Sequence, residues 1–185
     1  MFTPKLFSVL LHLIVIGKFV TSTCRRSEFT CQNHQCITLD RYCNGIEDCE
    51  DQSDEPFNCT PCNSTYYGDV GYTYELEVKR PHDNHIPFLC FLNFTAAGGS
   101  LGDLVQLTFE AFAVGTFESF TSDGCPDGYV SVRELGRPNS AGKWCGSAWG
   151  YTVYYSETSS VNLTLHLERL PQQVVMSVLI KIYVA

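Results

Sequence analysis

Six cysteines crowd residues 24–59, at positions Cys24, Cys31, Cys36, Cys43, Cys49 and Cys59. An acidic run is threaded through the last of them: Cys43-Asn-Gly-Ile-Glu-Asp-Cys-Glu-Asp-Gln-Ser-Asp-Glu55. So short a segment cannot bury enough apolar surface to fold unaided. It needs staples, and two kinds are present: cysteines that can pair, and oxygen donors that can hold a hard cation. Phe29 and Ile37 are its main apolar anchors, with Tyr42 and Ile46 as lesser ones.

The redox setting follows from the N-terminus. Residues 6–16 are nearly all apolar, Lys5 precedes them, and Thr21, Ser22 and Thr23 follow. That is the layout of a cleaved signal peptide over residues 1–22, with the cut just before Cys24. The run is shorter than the roughly 20 residues of a membrane-spanning helix, and Lys18 ends it. The competing reading is an uncleaved anchor. The apolar C-terminal stretch is interrupted by Lys181 and alternates like a strand, so no membrane span is expected there. Asn63, Asn93 and Asn162 each begin a glycosylation sequon. Asn58 begins a weaker one, with Cys59 in its middle position.

The chain has 185 residues, enough for a medium domain and a small one. Its net charge of −8 argues against a nucleic-acid partner. The ten cysteines divide into six in residues 24–59 and four further on: Cys62, Cys90, Cys125 and Cys145. Cys59-Thr-Pro-Cys62 could be a redox pair, but it fits better as two module-end cysteines, each pairing within its own module. Residues 60–65 carry turn chemistry and read as a linker.

From Tyr66 the texture changes. Alternating runs begin at Tyr72, Leu89, Leu104, Tyr129, Tyr151 and Val161, and a last one occupies the C-terminus. They are short, rich in β-branched and aromatic residues, and separated by turn residues. The expectation is an all-β sandwich. Its cysteines are expected to pair in sequence, Cys62–Cys90 and Cys125–Cys145, although spacing alone does not prove it.

Residues 24–59 resemble the LDL-receptor class A repeat. The resemblance rests on the six-cysteine spacing, Phe29-x-Cys31, Cys36-Ile37 and Cys43-Asn-Gly-x-x-Asp-Cys-x-Asp-x-Ser-Asp-Glu. It implies the pairs Cys24–Cys36, Cys31–Cys49 and Cys43–Cys59. It also implies a calcium cage built from the side chains of Asn44, Asp48, Asp54 and Glu55 and the backbone oxygens of Arg41 and Ile46. The chemistry agrees, because calcium takes about 6–8 oxygen ligands and these donors suit it better than zinc. A solvated acidic surface is the plainer alternative. Two departures stand out. Asn44 replaces a frequent Asp, and Arg41 stands where ligand-binding repeats often carry a Trp that grips a partner lysine.

Residues 62–185 resemble, more loosely, a CUB domain, a jelly-roll-like β-sandwich of extracellular proteins. The residues behind this are the four-cysteine spacing, Leu107-x-Phe109-x-x-Phe112, Cys125-Pro-x-x-Tyr-Val-x-Val, Trp144-Cys145-Gly146 and Ser159-Ser-Val-Asn-Leu-Thr-Leu-His-Leu167. The family's Ser-Pro-x-Tyr-Pro turns are missing, and Leu92 stands where an aromatic is usual. Many CUB domains hold calcium through one Glu and two Asp. Those positions fall here on Gly115, Gly128 and Leu170 or a neighbour, so no cofactor is expected in this domain unless Asp123 and Asp127 substitute.

Three other motifs carry little. Gly98-Gly-Ser-Leu-Gly102 fits a nucleophile elbow but lacks the strand–turn–helix context. His82 and His85 read as a surface loop, and Trp144 and Trp149 as sandwich core.

The expectation is a mainly β, secreted chain. A class A module (23–60) precedes a CUB-like sandwich (61–185), and the job is non-catalytic recognition of an extracellular protein ligand. Such a chain could serve as co-receptor, adaptor or soluble ligand-binding factor. The alternatives are a non-catalytic relative or fragment of an extracellular protease, or a structural matrix component.

Overall fold

A computed structural model describes residues 23–79, 85–97, 103–118, 124–137, 142–169 and 175–184. The expected signal peptide, the Gly98–Gly102 motif, His82, Asp123 and Leu170 lie outside the described residues, as does the side chain of Trp149.

The cysteine-rich segment has one small hairpin, β1 (Glu28–Thr30) against β2 (Cys36–Thr38), followed by a 3-10 turn at Leu39–Arg41. Its buried apolar centre is Cys31, Ile37 and Cys49, with Phe29 packed against them. The Phe29 ring lies 4.5 Å from that of Tyr42. Disulfides therefore replace a core, joining Cys24–Cys36, Cys31–Cys49 and Cys43–Cys59. Ile46, expected as a lesser anchor, is instead 64% exposed. Its loop is organised by backbone N–H bonds to the side chains of Asn44 and Asp54, so Ile46 need not point inward.

The remainder is a two-sheet sandwich. One sheet runs in the order β3 (Ser64–Gly68), β5 (Phe88–Ala96), β10 (Ser160–Leu167), β7 (Gly128–Glu134), β8 (Lys143–Trp144). The other runs β4 (Thr73–Lys79), β11 (Val175–Tyr183), β6 (Leu104–Val114), β9 (Gly146–Tyr155). The expected strands are all present. Residues 64–65, expected to be linker, are already strand: β3 runs parallel to β5, with Ser64 opposite Leu92. Its polar start hides the pairing, which is made to a strand far along the chain.

Period-2 alternation explains the core. On β5, β10 and β11 the inward residues include Leu92 and Phe94, Val161, Leu163 and Leu165, and Val178 and Ile180, all buried. On β6 the phase changes. Val105, Leu107 and Phe109 face inward, and then Val114 does. A register shift between Phe109 and Ala111 absorbs the extra residue, as a β-bulge does. Trp144 is partly buried and meets Phe109 edge-on at 5.5 Å. Cys62–Cys90 and Cys125–Cys145 complete the five disulfides.

The two modules touch. Leu39 of the 3-10 turn packs against the sandwich core and shares an apolar crevice with Tyr66, Tyr74 and Ile182. The Asp40 carboxylate accepts from the Glu75 N–H, and buried Ser27 donates its hydroxyl to Asp69 at 2.6 Å. The Arg26 guanidinium lies 4.7 Å from the Tyr67 ring centre.

Candidate functional site: the acidic loop of the cysteine-rich module

The loop 43–55 is held at both ends. Cys43 and Cys49 are fixed by their disulfides, and the Cys43 N–H donates to the Asp54 carbonyl at 3.0 Å. Asp54 is fully buried, and its two carboxylate oxygens accept from the N–H groups of Asp48 (2.8 Å) and Cys49 (3.2 Å). Those two bonds compensate a burial that would otherwise be costly.

Around it stand the other expected donors. The Asn44 amide N–H donates to Asp48 at 3.0 Å, while its carbonyl oxygen accepts from the Ile46 N–H. Glu55 accepts from the Gly45 N–H at 2.9 Å. Thus Asn44, Asp48, Asp54 and Glu55 belong to one hydrogen-bonded loop. The Arg41 guanidinium donates to Asp48 at 3.0 Å and is itself 57% exposed. A side chain at the position of a partner-gripping aromatic is therefore turned onto one of the acids. Asp51 is spent differently: the Ser53 hydroxyl, with further help from the Asn33 N–H, holds its carboxyl below the usual range.

Among the described residues, three tighter groups of potential ligands combine two cysteines with one acid, such as Cys43, Glu55 and Cys59. In each of them the cysteines are tied up in disulfides, and only a free thiolate is a metal ligand.

In the sandwich, Gly115 and Gly128 stand at the positions that resemble a CUB calcium site. A Cβ on Gly115 would come within 2.9 Å of the Asp127 side chain. One on Gly128 would come within 2.5 Å of the His166 carbonyl oxygen. A side chain at either position would require its neighbours to shift. Asp127 accepts from the Thr116 hydroxyl at 2.6 Å and faces Arg169 at 3.6 Å, so its charge is already met. No helix among the described residues is long and apolar enough to cross a membrane.

Comparison with known proteins gives this arrangement its class. Residues 22–59 match the family model "Low-density lipoprotein receptor domain class A". That matched segment precedes a two-sheet β-sandwich in the same chain. Among curated proteins, human low-density lipoprotein receptor-related protein 10 is 31% identical over 110 residues, covering 45% of this chain. The matched region amounts to only 15% of that relative's length. Among solved structures, the full extracellular region of zebrafish Gpr126/Adgrg6 is similar over 68% of this chain and 15% of its own, with 19% identity and a TM-score of 0.50. The calcium-bound CUB2 domain of MASP-1 is similar over 65% of this chain and 98% of its own, with 12% identity and a TM-score of 0.45. The first of these structural likenesses is of fold alone.

Proposed function

We propose that the chain is a secreted, non-catalytic protein-binding protein whose class A module is organised by one calcium ion. The observation that carries this reading is Asp54. A fully buried carboxylate anchored by two backbone N–H groups sits at the centre of a loop that also gathers Asn44, Asp48 and Glu55. All the donors are hard oxygens and three are carboxylates, which fits calcium. Asn44, Asp48, Asp54 and Glu55 would hold the ion with the carbonyls of Arg41 and Ile46. Bound there, calcium supplies charge neutralisation and a cross-link between loop segments; it has no redox role.

The sandwich is a second recognition surface beside the module, because Leu39 and Asp40 dock the module onto it. Such a unit suits a co-receptor, an adaptor or a soluble factor that captures an extracellular protein. Affinity capture with the full chain tests this. Cell-surface or extracellular proteins should be retained in calcium and released by chelator. Retention that ignores chelator, or no retention at all, contradicts the reading.

A further inference from the structure

Three sequons far apart in sequence converge on one outer face of the five-stranded sheet. Asn93 on β5 is the direct cross-strand partner of Asn162 on β10, and its other neighbour is Thr65, the hydroxyl residue of the Asn63 sequon. Asn63 donates its backbone N–H to the Phe91 carbonyl at 2.7 Å. The three asparagines border a single groove of about 310 Å³ that is also lined by Phe91 and Thr164. Phe94 and Leu163, the middle residues of two of the sequons, are fully buried, which turns the asparagines outward.

Phe91 is out of place here. It is 50% exposed on a sheet face, and Leu89, two residues earlier on the same face, is 44% exposed. Phe91 also precedes Asn93 by two residues, so ring and amide stand side by side. An N-linked sugar presents an apolar face of C–H groups that stacks on an aromatic ring. The Asn93 amide suits attachment: its carbonyl oxygen accepts from the Ser160 hydroxyl at 2.9 Å, which fixes that end, while attachment uses the nitrogen.

We propose that this face is covered by the chain's own N-linked glycans on Asn63, Asn93 and Asn162, with the first sugar of the Asn93 glycan lying on Phe91. In the attachment, the amide nitrogen forms a bond to C1 of a sugar carried on a polyprenyl diphosphate. The bond from C1 to the diphosphate oxygen breaks, the diphosphate leaves, and one amide proton is lost. Glycans on this face leave the four-stranded sheet, the module junction and the acidic loop to meet protein partners. The inference rests on the extracellular reading above.

The test is peptide mapping of the full chain secreted from animal cells, before and after peptide N-glycosidase, which converts each glycosylated Asn to Asp. Conversion at Asn63, Asn93 and Asn162 is expected; an unmodified Asn93 overturns the proposal. Enzymatic removal from the folded protein should raise binding of a hydrophobic dye about twofold, as an aromatic patch is uncovered. The rise should be absent in Phe91→Ser, a surface change that does not depend on refolding the core. An equal rise in that variant, or no rise in the wild-type chain, also overturns it. Calcium titration of the same deglycosylated protein should be unchanged, so the glycan face and the calcium loop fail or stand separately.

Discussion

The Asp40 carboxylate accepts a hydrogen bond from the Glu75 N–H at 2.9 Å, joining the 3-10 turn of the class A module to β4 of the sandwich. The same three-residue turn has two other tasks. Leu39 packs on the sandwich core, and Arg41 reaches back to Asp48 in the acidic loop. One turn thus ties module docking to the site. Replacing Asp40 with Ala should cost about 1 kcal/mol at the junction, the ordinary worth of one hydrogen bond. Leu39→Ala should cost about 1–2 kcal/mol through lost apolar burial. Hydrogen exchange should report both changes as faster exchange at β4 and in residues 60–65, with the disulfide-bound loop unaffected.

Arg41 competes for Asp48. Its guanidinium neutralises one of the acids that a cation would need, yet it is largely exposed, so the pair is worth only about 0.2–1 kcal/mol. Arg41→Ala should therefore tighten calcium binding by no more than about fivefold. The gain should shrink at high salt, because exposed charges are screened. Weaker calcium binding by Arg41→Ala would show that the side chain supports the loop instead.

Glu134 should govern the acid limit of the sandwich. Burial alone would raise its pKa, but the hydroxyls of Tyr154 and Thr158 and the N–H groups of Glu157 and Thr158 outweigh it and hold the carboxyl below the ordinary Glu range. A depressed folded-state pKa gives stability that is present above the unfolded pKa and lost as pH falls through the folded one. Glu134→Gln should cost about 1–3 kcal/mol at neutral pH. The two melting curves should converge only once pH has fallen through the depressed folded-state pKa, where the wild-type carboxyl also becomes protonated. A constant gap across pH would show that the charge of Glu134 is irrelevant.

Much of this molecule is legible in its sequence, because two local signals are strong. Cysteine spacing with the run Asn44–Glu55 points to the disulfide-stapled module, and period-2 alternation marks the longer strands of the sandwich. What escapes is non-local. Strand β3 begins with the polar residues Ser64 and Thr65, and only its parallel partner β5 reveals it as a strand. The β6 bulge changes phase without any Gly or Pro to announce it. Ser27, Asp40 and Asp69 look like ordinary surface residues until the modules are seen together. The role of Arg41 follows the same rule: its identity is plain from the sequence, but its bond to Asp48 is not.

Calorimetric titration of calcium into the full chain tests the central claim most directly. The account predicts one tight site, its affinity lowered at least about tenfold by Glu55→Gln, which removes a charged ligand. Glu55→Gln keeps an oxygen acceptor for the Gly45 N–H, so the loop should still fold. Asp54→Ala should abolish the site. No binding heat in the wild-type chain, or the same isotherm in both variants, would contradict the account.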